Sequence, residues 1–72
     1  MSGRFARELV EQVLQSPQQK FPAVKNVTCY QSRIDMNGKE YLLRVMVNET
    51  IKPPKVVTAC RTSKVTKYWR AS

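Results

Sequence analysis

Four cations fall within the stretch CRTSKVTKYWR near the end of the chain, at Arg61, Lys64, Lys67 and Arg70, interleaved with Val65, Tyr68 and Trp69. A guanidinium is a planar fork of N–H donors that matches a phosphate or carboxylate, whereas an ammonium acts as a point charge. Aromatic rings between such groups offer faces on which bases stack. A fifth cation, Arg44, sits in the middle of the run EYLLRVMVN (40–48). In that run Tyr41, Leu43, Val45 and Val47 share one face of an extended chain, and Leu42, Arg44, Met46 and Asn48 share the other. If Val56, Thr58 and Cys60 point inward, Arg61 lies on the same open sheet face as Arg44, and the two form a phosphate fork. Lys64 and Lys67 would extend it. Tyr30 and Tyr68 would add a hydroxyl and a stacking surface. A second reading stays open for each residue. Arg44 is then a solvated side chain on a wet antiparallel face, and Tyr68 and Trp69 are core residues of an amphipathic element. Lys64, Lys67 and Arg70, spaced by three, are then scattered around it.

Other chemistries lack their residues. The chain has no histidine, which removes the commonest general base. Its two cysteines, Cys29 and Cys60, are far apart and make no CxxC pair, so the usual zinc ligand sets are excluded. Both are expected to be buried small apolar residues rather than a disulfide. No phosphate loop, dinucleotide fingerprint or carboxylate pair is present. Asp35 is read as a turn residue and Glu49 as a strand end, neither with an evident partner. No metal and no cofactor are expected.

The elements that must position these groups are few. Seventy-two residues make a single domain, 1–72, with room for three or four elements around one small core. Residues 4–15, RFARELVEQVLQ, place Phe5, Ala6, Leu9, Val10, Val13 and Leu14 on one helical face. Ser2 is the expected N-cap, and Ser16-Pro17 ends the helix. QQKFPAVKN reads as a polar connection from which Phe21 and Val24 dock on the core. Strands are predicted at 27–34, 40–48 and 55–62, the first two joined through Asn37-Gly38, a strong hairpin signal. Pro53-Pro54 places the segment between the last two strands in a loop. Thr62-Ser63 then caps a short helix over 63–70, with a fourth strand as the alternative. The expected fold is α+β: an N-terminal helix packed on a three-stranded antiparallel meander, with a short C-terminal helix.

Thirteen Lys and Arg against five Asp and Glu give a net charge of +8. A field of that sign attracts polyanions, so the expected partner is RNA or an acidic protein. No apolar run is long enough to span a membrane. The N-terminus lacks a signal-peptide pattern, so a cytoplasmic protein without a membrane partner is expected. A monomer is placed ahead of an oligomer.

The stretch YLLRVMVNET…PPKVVTACRTSKVTKYWR, from Tyr41 to Arg70, resembles the bacterial domain family of unknown function DUF4258. Arg44, Pro53-Pro54, Thr58, Arg61-Thr62-Ser63-Lys64 and Lys67-Tyr68-Trp69 carry the resemblance. More loosely, the chain is similar to the RelE-like and BrnT-like ribonuclease toxins of toxin–antitoxin pairs. That resemblance implies a metal-independent endoribonuclease, in which cations stabilise the charge developing on phosphorus. Arg44 and Arg61 would hold the scissile phosphate, and Tyr68 would transfer the proton. Lys64, Lys67 and Arg70 would bind the strand. The chain departs from the pattern in lacking histidine and in carrying Asn48 where an acidic residue is common. The alternative it leaves open is a non-catalytic module binding nucleic acid or an acidic, antitoxin-like protein.

Overall fold

The Asn37-Gly38 dipeptide sets the register of the sheet. In the computed structural model, which describes residues 7–70, both residues take the left-handed region, at φ 56° and φ 77°. Such a turn matches the natural twist of paired strands. Strands β2 (Val27–Met36) and β3 (Lys39–Asn48) therefore pair antiparallel from Met36↔Lys39 outward, which places Gln31 opposite Arg44 and Tyr30 opposite Val45. Strand β4 (Lys55–Thr62) adds to the far side of β3, and β1 (Gln19–Val24) adds to the far side of β2. The result is a four-stranded antiparallel sheet in the order β1-β2-β3-β4.

The expected three-stranded meander is thus corrected to four strands. The QKFPAV part of the connection is the missed strand. Pro22 lowers its strand signal, but proline is tolerated on an edge strand because no ladder donor is needed there. The turn into β2 is made by Asn26 at φ 67°, an asparagine rather than a glycine. Phe21 and Val24 do not join the core cluster as expected: Phe21 is half-buried on the opposite sheet face, under Arg70, and Val24 is exposed.

Helix α1 (Arg7–Gln15) lays its apolar stripe on one face of the sheet. Val13 packs with Tyr30, Leu43, Val45 and Val47, and Leu9, Val10, Leu14, Ile34 and Ala59 line the same cluster. The predicted helical residues 4–6 and the Ser2 cap lie outside the described residues. At the other end the predicted helix over 63–70 is one turn, α2 (Val65–Tyr68). Thr62 and not Ser63 serves its entry: the Thr62 hydroxyl accepts from the Lys64 amide at 3.0 Å. Val65 is buried, and Tyr68 and Trp69 are half-buried.

The sheet is therefore covered on both faces, by α1 on one and by α2 with Trp69 and Arg70 on the other. Cys29 is buried and Cys60 is exposed, which corrects the expectation that both are interior: Cys60 belongs to an edge strand. No described helix is long and apolar enough to cross a membrane.

Candidate nucleic-acid interface

Strand register decides which cations meet. Residues directly opposite one another across a sheet point to the same face. Arg44 is opposite Cys60, and Arg61 is opposite Leu43. Leu43 belongs to the α1 core, so Arg61 stands on the α1 face and Arg44 on the α2 face. The expected Arg44–Arg61 fork is overturned, because a shift of one residue in pairing moves a whole strand's side chains to the other face. Arg61 instead lies over the Tyr41 ring, 4.8 Å from its centroid, with Lys39 at 5.7 Å from the same ring.

On the α2 face the sheet builds a different set. One row across the strands reads Gln19, Gln31, Arg44, Cys60; beside it lie Phe21 with Cys29, and Arg33 with Leu42. Gln31 is fully buried, so its amide must find partners inside the protein. All four of its hydrogen-bonding positions do. Its nitrogen donates to Gln19 Oε1 at 2.6 Å and to the Tyr68 carbonyl at 3.2 Å. Its oxygen accepts from Arg44 Nε at 3.0 Å and from the Cys29 thiol at 3.7 Å. Gln19 completes the chain: its nitrogen donates to the Arg70 carbonyl at 2.6 Å and its oxygen accepts from the Arg70 amide at 3.0 Å. Two glutamine side chains thus clamp the backbone of Tyr68 and Arg70 to the sheet.

The clamp fixes the aromatic rings under the cations. The Arg44 guanidinium lies over Tyr68 at 4.6 Å from the ring centroid, Arg33 over Trp69 at 4.6 Å, and Arg70 over Phe21 at 4.2 Å. Lys67 approaches Tyr68 at 5.4 Å. Each stack is worth only about 0.5–1 kcal/mol at an exposed site, but it holds a guanidinium plane in a set orientation. Arg44 spends its Nε on Gln31 and keeps its outer nitrogens. Arg33 also reaches Glu40 at 3.8 Å, a half-exposed and weak pair. The Cys29 thiol beneath this layer is pushed above its usual range by burial, against a smaller opposing pull from Arg44.

Of the residues singled out in the sequence, Arg44, Tyr68, Lys67 and Arg70 come together here. Arg61 does not. Lys64, exposed at the start of α2, borders the face without joining a stack. Tyr30 is also separate: it is buried on the α1 face, where its hydroxyl donates to Glu49. Glu49 accepts as well from Thr28 at 3.1 Å and pairs with Lys20 at 3.7 Å, so the strand-end carboxylate does have partners. Asp35 lies in β2 and not in a turn. Arg33, Gln31, Gln19 and Phe21 were missed by sequence reasoning. A signal for two of them existed, since a two-residue turn at Asn37-Gly38 fixes Gln31 opposite Arg44 and Arg33 opposite Leu42. Among the described residues no three of Cys, Asp and Glu are grouped to hold a metal ion.

No family model, no curated protein and no solved structure matches the chain.

Proposed function

We propose that this protein is a binding module for single-stranded RNA, which it engages across the α2 face. The observation that carries the reading is the row of stacked pairs Arg33–Trp69, Arg44–Tyr68 and Arg70–Phe21, with Lys67 beside them. Phosphates would bind the outward nitrogens of Arg33, Arg44 and Arg70 and the Lys67 ammonium. Bases would stack on the guanidinium planes and on the half-buried edge of Trp69, as in sequence-tolerant single-strand sites. RNA rather than DNA is taken from the sequence resemblance of Tyr41–Arg70 to DUF4258, a family only loosely similar to toxin-type ribonucleases.

Binding is favoured over cleavage. A cleaving site of the expected kind would need Arg44, Arg61 and Tyr68 on one phosphate. The sheet puts Arg61 on the opposite face from the other two, and the stacked cations that remain are suited to holding a strand.

Trp69 is the only tryptophan in the chain, so its fluorescence reports this face alone. Titration with a short oligouridylate in EDTA is expected to quench it, with affinity falling as salt rises. Trp69 emission unchanged by the RNA at low salt would sink the proposal. Shortening of the RNA in the same mixture, lost in Arg44→Ala, would restore the cleavage reading.

A further inference from the structure

The two edges of the sheet are not treated alike. Edge strands present unpaired backbone N–H and C=O groups, and proteins ordinarily blunt them with proline, charge, irregularity or a covering segment. Strand β1 is blunted: it carries Lys20 and Pro22, and its pairing is irregular between Pro22 and Val24. Strand β4 has no proline, and its charges, Lys55 and Arg61, stand near its ends and leave the middle bare. Among the described residues no strand pairs with its outer side. Its middle, Val56-Val57-Thr58-Ala59-Cys60, has neither proline nor charge, and Val56 and Val57 are 42% and 56% exposed. The one irregularity, at Val57, adds exposed apolar surface to the edge. Val56, Val57 and Thr58 are β-branched residues of the kind that favour strand pairing.

The charges decide what fits there. Lys55 stands at one end of β4 and Arg61 at the other, with Lys52 and Lys64 just beyond, and no acidic residue lies anywhere between Lys52 and Arg70. A second copy pairing antiparallel through β4 would set the Lys55 end of one chain beside the Arg61 end of the other. Like charges would then meet at both ends, which is unfavourable. We infer that β4 is a strand-addition site for an extended acidic segment of a partner protein. That segment would carry carboxylates about 20 Å apart, the span of six residues of strand, with β-branched residues between them. Backbone hydrogen bonds along β4 would supply the affinity. The two cationic ends would set the specificity and orientation. This site is separate from the α2 face, and it stands or falls independently of RNA binding there.

The probe is a blocked heptapeptide, five alternating valines and threonines between two terminal glutamates, followed by amide NMR on the intact protein. Expected are shifts and slowed amide exchange confined to Lys55–Thr62. Val57→Glu, which removes a β-branched contact and opposes the carboxylates, should weaken the peptide roughly fivefold to tenfold. The charge-reversed protein K55E/R61E, checked for native amide dispersion, should lose the acidic peptide and accept one flanked by lysines. Three results would overturn the inference: no binding of the acidic peptide; equal binding of a glycine-glutamate peptide that cannot form a strand; or sedimentation as a dimer that Val57→Glu dissociates, which would make a second copy the occupant.

Discussion

Gln31 holds together two things that a surface arginine cannot organise alone: the orientation of Arg44 and the path of the chain through Tyr68 and Arg70. Its substitution separates the present account from one in which the cations are merely solvated. Gln31→Leu keeps the volume but leaves Arg44 Nε, the Tyr68 carbonyl and the Cys29 thiol without their partner, and takes one of its two donors from Gln19 Oε1. A cost of about 1–3 kcal/mol is expected from such unsatisfied groups, measurable as a lower urea midpoint at unchanged slope. RNA affinity should fall in the folded variant as well, since the Tyr68–Arg70 segment loses a tether. The neighbouring thiol gives a pH test. Burial raises the Cys29 pKa above the usual thiol range, with Arg44 opposing. The unfolded chain therefore releases this proton first as pH rises, and binds fewer protons than the folded one in and above that range. Stability from this source is complete below the usual thiol range and declines as pH rises through the folded-state value. Cys29→Ala should flatten the alkaline part of a stability-against-pH curve. A curve parallel to that of the native chain would contradict the assignment. Cys60, exposed on β4, should react with a thiol reagent well before Cys29.

At the scale of elements, the α1 core and the β2–β3 hairpin carry the fold. Leu43 is fully buried between strands and under α1. Leu43→Ala is expected to cost about 2–5 kcal/mol, a large part of what so small a domain has. Loss of cooperative unfolding in this variant, followed by circular dichroism, is the expected outcome. Much of this layer was legible in the sequence. The alternation of Tyr41, Leu43, Val45 and Val47 marks the inner face of β3, the spacing of Leu9, Val10, Val13 and Leu14 marks the stripe of α1, and Asn37-Gly38 marks the hairpin. Strand β1 was hidden because its proline speaks against a strand locally and Lys25-Asn26 lacks the glycine of a strong hairpin turn, while pairing with β2 overrides both. The position of Arg61 was hidden for a different reason. The Glu49–Pro54 loop does not impose a register as a two-residue turn does, and the bulge near Val57 offsets the pairing by one residue partway along β4. One residue of offset decides the face, and with it whether two arginines can share a phosphate. The Gln19–Gln31 clamp could not be read locally, because it joins residues far apart in the chain through side chains that look polar and unremarkable in isolation.

The whole molecule is a thin slab with a net charge of +8, covered on one face by α1 and on the other by a short helix under stacked cations. Charge alone would draw RNA to every side of it, whereas the stacked cations of the α2 face would confine binding to one side. Neutralising about four phosphates on single-stranded RNA should give a slope near −3 in log affinity against log salt. Removing Lys67 should reduce that slope by about 0.7, whereas removing Lys39 on the far face should leave it unchanged. The most direct test is amide and side-chain NMR of the labelled protein during titration with a short single-stranded RNA at two salt concentrations. Perturbations gathered at Arg33, Arg44 and Lys67–Arg70, weaker at the higher salt, are the predicted result. Perturbations absent there, or spread evenly over Lys20, Lys39, Lys55 and the other surface cations, would contradict it.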